Sequence, residues 1–187
     1  MKMILAGGAR GVGKTSIFSA LEHLRLEDYS MKVIHSSREL QELATSSYGQ
    51  RLNGLDDGRK GALLDALMEK ALSSGADVII FDTHYVELDR LGRASRLIPA
   101  EHERLYSCHM LVEATAKEIL SRRLNDASRT RNLDPRLIGK EIEAERATAM
   151  EIAARTGTPL YTINNISLTD AILTAKGLIE LVILKRD

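Results

Sequence analysis

Directly after a four-residue apolar run, Met3-Ile4-Leu5-Ala6, the chain reads Gly8-Ala9-Arg10-Gly11-Val12-Gly13-Lys14-Thr15 and then becomes helical in period, with Ile17, Leu21 and Leu24 on one face. Few strings constrain a fold as tightly. The pattern G-x-x-x-x-G-K-[ST] between a strand and a helix lets a glycine-rich loop wrap so that its N–H groups converge on a phosphate, while the helix N-terminus adds partial positive charge. In that geometry the Lys14 ammonium reaches the β and γ oxygens and the Thr15 hydroxyl is available to Mg²⁺. A glycine-rich turn with an incidental Gly-Lys-Thr is the competing reading, and it leaves the placement between strand and helix unexplained.

The rest of the chain repeats the same rhythm of short apolar runs and longer helical segments, the signature of βαβ units and a parallel sheet. Lys32-Val33-Ile34, Val78-Ile79-Ile80-Phe81, His109 to Val112 and Leu160 to Ile163 complete a set of five predicted strands. Four consecutive apolar residues in the run at Val78 suit a strand covered on both faces. Helical period recurs at about Arg38–Ser47, Arg59–Ser73, Lys117–Leu124, Arg136–Arg155 and Leu168–Leu184, whereas Gly49–Gly54 and Thr83–Pro99 read as loop or irregular. With 187 residues, no internal repeat and no low-complexity linker, one α/β domain spanning 1–187 is expected.

Composition excludes several function classes. Lys and Arg total 26 against 26 Asp and Glu, and the chain has five Tyr, two Phe and no Trp. Neither balance suits a nucleic-acid binder, which needs cationic surface and exposed rings for stacking. Cys108 is the only cysteine, so neither an intrachain disulfide nor a cysteine zinc cluster can form, and a reducing, cytoplasmic setting is expected. The apolar run at the start breaks into glycines well short of the roughly 7 to 15 residues of a signal sequence. No segment approaches the roughly 18 apolar residues of a membrane span.

A phosphate loop alone does no chemistry. Asp82 closes the Val78 run at the carboxyl end of a strand, where open α/β sheets bind ligands, and is the candidate metal-side carboxylate; a turn aspartate is the alternative. His84 follows two residues later, as a substrate contact or a loop histidine. The stretch from Arg122 to Arg131 carries Arg122, Arg123, Arg129 and Arg131, and from Lys117 to Arg136 six basic residues oppose three acidic ones. Guanidinium groups closing over a transferring phosphoryl would stabilise the charge spread over its oxygens; a solvated helix end is the plainer reading.

Taken together, the Gly8–Thr15 loop, Asp82-Thr83-His84, the Gly92–Pro99 loop and Ile119-Leu120-Ser121-Arg122-Arg123-Leu124-Asn125-Asp126 with Arg129 and Arg131 make the sequence resemble the archaeal-type adenylate kinases. These are P-loop nucleoside monophosphate kinases. The helix from Glu141 and the closing strand with Asn164-Asn165 are also similar, so most of the chain is covered. The resemblance implies a five-stranded parallel sheet with helices on both faces, a short zinc-free lid at about 122–135 rich in arginine, and transfer of the γ-phosphoryl of ATP to AMP with Mg²⁺. By position, Gly8, Gly11, Gly13, Lys14, Thr15 and Ser16 would hold the ATP phosphates, and Asn164 and Asn165 would fall near its adenine. Arg122, Arg129 and Arg131 would join Lys14 at the transferring group, Thr15 and Asp82 would serve the metal, and His84 would lie near the acceptor. Some members are trimers, so the resemblance extends to self-association.

One departure bears on the acceptor. The segment of about 36–60, which in the family holds the monophosphate, is shortened here and lacks the expected acidic-Arg-acidic stretch. Arg38 and Arg51 remain as acceptor contacts. Arg10 also stands where these loops often carry proline. Two alternatives stay open: a kinase for another small acceptor, and an ATP-hydrolysing binding protein that keeps the kinase fold.

Overall fold

The computed structural model describes residues 1–23, 29–89, 91–126 and 131–184. Five parallel strands form the central sheet: β1 (Lys2–Gly7), β2 (Met31–His35), β3 (Val78–Asp82), β6 (Cys108–Glu113) and β7 (Leu160–Asn164), in the spatial order β2-β3-β1-β6-β7. A separate antiparallel pair, β4 (Val86–Leu88) and β5 (Ala94–Arg96), lies inside the stretch that the sequence pattern leaves irregular. Its strands are three residues each, too short for a two-residue alternation to stand out from loop sequence. Leu52–Gly54, likewise read as loop, closes a 3-10 turn.

Alternation along β1 divides the core in two. Ile4 and Ala6 face a layer with Ile17, Phe18 and Leu21 of α1 (Lys14–His23) and Ala171, Ala175 and Ile179 of α6 (Leu168–Leu184). Met3 and Leu5 face the opposite layer, where Leu67 and Ala71 of α3 (Asp57–Leu72) and Ala149 and Ile152 of α5 (Pro135–Thr156) pack. Helices therefore cover both faces of the sheet, as the resemblance implies. The remaining helices, α2 (Ser36–Tyr48) and α4 (Ala116–Asn125), lie beyond β2 and after β6.

Local chemistry sets the helix limits. A reciprocal capping box between Thr115 and Glu118 starts α4; Asp134, followed by Pro135 at the first helical position, starts α5; Gly157, with φ 73°, ends it in the left-handed region. The sequence-derived ends fall within two residues of the observed ones for α2, α3, α4, α5 and α6.

Strand order positions the site. From β1 the chain crosses outward to β2 and returns to β3, and from β3 it crosses to the other side of β1. Direction reverses at the β1–β3 pair, so a crevice opens beyond their carboxyl ends. The Gly8–Thr15 loop leaves β1 there, beside Asp82, whose register partner on β1 is Ala6.

Candidate active site

The loop after β1 requires its glycines. Gly8 and Gly13 have φ of 138° and 98°, and a Cβ on either would overlap a neighbour, the Val112 carbonyl for Gly8 and Asn165 Nδ2 for Gly13. Lys14, at the start of α1, is buried and donates to the Gly8 carbonyl at 2.5 Å. Burial pushes its ammonium below the ordinary value, opposed by the carboxylates of Asp82, Glu145 and Glu141. The Thr15 hydroxyl donates to Asp82 Oδ2 at 2.7 Å, and His35 Nδ1 reaches the same oxygen at 2.9 Å. Burial works to raise the Asp82 carboxyl, but the His35 hydrogen bond, Lys14 and Thr15 outweigh it and hold the group below its usual range.

Two glutamates of α5 brace the loop from below. Glu145, almost fully buried, accepts from Gly8 N at 3.1 Å and Tyr85 N at 3.0 Å. Glu141 accepts from Arg10 N at 2.7 Å and from the Arg123 guanidinium at 2.6 Å. His84 lies between the loop and Glu145. A carbonyl oxygen can only accept, so its Nδ1–H donates to Gly8 O at 2.8 Å, with Glu145 Oε1 at 3.2 Å. Burial and then the nearby Lys14 charge keep the His84 imidazole below its ordinary value against the pull of Glu145.

Arginines close the loop from the other side. Arg122 donates to Val12 O at 2.7 Å and to Asn165 O at 2.6 Å. Arg123 donates to Arg10 O through two nitrogens, at 3.0 and 2.7 Å, and to Asn132 O at 2.9 Å. A Cβ on Gly11 would come within 3.2 Å of the Arg131 guanidinium, which also pairs with Asp126 at 3.2 Å. A buried lysine, a hydroxyl–carboxylate pair and arginines held on backbone carbonyls thus border one glycine loop.

Sequence comparison points the same way. A family model described as AAA domain matches residues 7–136. Adenylate kinase from Methanoculleus marisnigri is 30% identical over 172 residues, covering 88% of this chain and 90% of the relative. The chain belongs to the archaeal-type adenylate kinase family. Adenylate kinase from Methanocaldococcus jannaschii, at 28% identity over 172 residues, has the same coverage. Among solved structures, a gluconokinase from Sinorhizobium meliloti superposes with a TM-score of 0.53 at 14% identity, covering 100% of this chain and 98% of that one; that likeness speaks for the fold alone. Family membership brings a nucleotide-binding P-loop and phosphotransferase chemistry. No described helix is long and apolar enough to cross a membrane.

Gly8, Gly11, Gly13, Lys14 and Thr15 form the loop, and Ser16 follows it, exposed, in the first turn of α1. Asn165 is buried against the loop: its Nδ2 donates to Val12 O at 2.7 Å and its backbone carbonyl receives Arg122 at 2.6 Å, so it braces the loop. Asn164 ends β7, exposed. Arg38 pairs with Glu42 on the surface of α2 at 3.9 Å, and Arg51 is exposed. The role expected of Arg129 lies outside the described residues.

Glu141, Glu145, Arg123 and His35 were missed as site residues. Two glutamates four apart on one helix repel each other mildly on an open surface, and following an arginine run they are a legible hint of a buried cationic partner. Arg123 was in view but undistinguished from its neighbours. No sequence signal singles out His35, because its meeting with Asp82 depends on strand order.

Proposed function

We propose that the chain is a nucleoside monophosphate kinase that transfers the γ-phosphoryl of ATP to AMP with Mg²⁺. The observation that carries this reading is the Thr15–Asp82 hydrogen bond at 2.7 Å beside the Lys14 loop, with Arg122 and Arg131 bordering that loop. The curated relatives are adenylate kinases, which supports AMP as acceptor.

Hard oxygen donors, one hydroxyl and one carboxylate, match Mg²⁺, which is bound through few protein ligands together with substrate phosphates. Thr15 and Asp82 would hold it, and in that place it would supply positive charge against the phosphate oxygens. The other roles belong to this chain's own side chains. Loop N–H groups and Lys14 orient the triphosphate, while Arg131 and, on release from its carbonyl partners, Arg122 offset charge on the transferring group. Glu141 and Glu145 keep the loop backbone in its wrapped form. In this reading residues 1–187 act as one kinase domain, with the acceptor segment at about 36–60 and the lid at about 122–135.

Lys14→Ala should abolish ATP-dependent phosphoryl transfer, and a variant with unchanged turnover would overturn the assignment. A panel of nucleoside monophosphates assayed with ATP identifies the acceptor, with ADP formation from AMP as the expected outcome. One observation favours a second reading, a kinase for another small acceptor: Arg38 is committed to a surface ion pair with Glu42 and Arg51 points to solvent. Diphosphate formation from no monophosphate, with a small hydroxylated acceptor phosphorylated instead, would favour it. ATP hydrolysis without any acceptor would favour the binding-protein alternative.

A further inference from the structure

His35 ends β2, and its register partner on β3 is Asp82. Alternation sends Val33 and Ile80 into the α1 layer, so the next residues of the same parity, His35 and Asp82, also face α1. There the imidazole makes two contacts: Nδ1 lies 2.9 Å from Asp82 Oδ2, and Nε2 lies 3.2 Å from Ser19 Oγ of α1. An ionised carboxylate only accepts, so Nδ1 carries a proton and donates to Asp82, while Nε2 pairs with the Ser19 hydroxyl. The ring is buried, and its backbone N–H donates to Glu39 Oε1 at 3.2 Å; Lys70 of α3 holds the other oxygen of Glu39 at 2.8 Å. The imidazole is thus held from α1, and the backbone that carries it from α2, while the ring bonds to Asp82.

We propose that His35 is a positioning residue for the metal-side carboxylate, locking the rotation of Asp82 so that it presents a constant face to the cation accompanying the nucleotide. This rests on the kinase reading of the site. Thr15 and His35 both bond to Oδ2, and among the described residues neither bonds to Oδ1. Removing the imidazole leaves Thr15 as the remaining restraint and lets the carboxylate turn about its Cβ–Cγ bond. Loss of an orienting partner behind a metal ligand commonly weakens metal binding by roughly 10- to 100-fold.

The test uses Mn²⁺ as probe: its uptake by the full chain with ATP, followed by electron paramagnetic resonance of the free ion, alongside thermal unfolding without metal. His35→Leu should weaken Mn²⁺ uptake by roughly 10-fold or more, whereas His35→Asn, whose amide N–H sits where Nδ1 was, should stay near wild type. Should the Leu variant not fold, His35→Gln serves, because its amide takes the Nε2 position and misses Asp82; the same weakening is expected. Wild-type affinity in the Leu or Gln variant, or equal weakening in the Asn variant, would overturn the proposal alone. Failure of the wild type to take up Mn²⁺ with ATP would overturn the kinase reading and this proposal together.

Discussion

Glu145 ties the start of the phosphate loop to the segment after β3. Its carboxylate satisfies the N–H groups of Gly8 and Tyr85 where water has no access, and burial, which works to raise it, is outweighed by the His84 hydrogen bond and the His84 and Lys14 charges. An N–H left without a partner in such a place costs about 1–3 kcal/mol. Glu145→Ala orphans both, so its urea midpoint should fall accordingly with the m-value unchanged, and ATP affinity should fall with it as the loop loosens. Glu145→Gln keeps an acceptor oxygen for the two N–H groups and should lose less. Equal stability of the Ala variant and the wild type would show that the carboxylate does not hold the loop.

Two ion pairs tie together elements around the phosphate loop, and they differ in solvent access. Arg10 to Glu87 links the loop to β4 at 3.0 Å, with side chains 35% and 55% exposed; Arg123 to Glu141 links α4 to α5 at 2.6 Å, with side chains 2% and 9% exposed. Water screens the first, which should contribute less than about 1 kcal/mol in a double-mutant cycle. Breaking the second leaves the buried Glu141 carboxylate with Arg10 N and the more distant Arg10 guanidinium at 3.8 Å, and Arg123→Met should cost at most about 3 kcal/mol by urea denaturation. At this scale much was legible beforehand. Apolar runs and helical period placed the five sheet strands and the helices between them because each is a local property. The β4–β5 pair was not legible, since its strands are short and its pairing with the loop runs through Arg10, which tertiary contact alone reveals.

Across the whole molecule, folding is linked to protonation through His109. This β6 side chain is fully buried between Tyr85 and Tyr106, ring centroids 5.9 and 6.0 Å away, and burial pushes its imidazole down to about 4. The unfolded chain takes up that proton near pH 6.5, before the folded one does, so stability is complete above that value and declines as pH falls toward about 4, by up to about 3 kcal/mol. Urea midpoints measured from pH 7 to pH 4 should show the decline, and His109→Gln should flatten it. The amino-acid sequence by itself determined the strands and helices of the parallel α/β sheet and the phosphate loop, because hydrophobic period and glycine chemistry act between residues close along the chain. Tertiary structure decided what holds that loop in shape. Glu141 and Glu145 reach it from 131 and 137 residues away, and His35 meets Asp82 across 47. Such pairings follow from strand order and helix docking, and buried charge is tolerated only where packing brings its partner within hydrogen-bond reach.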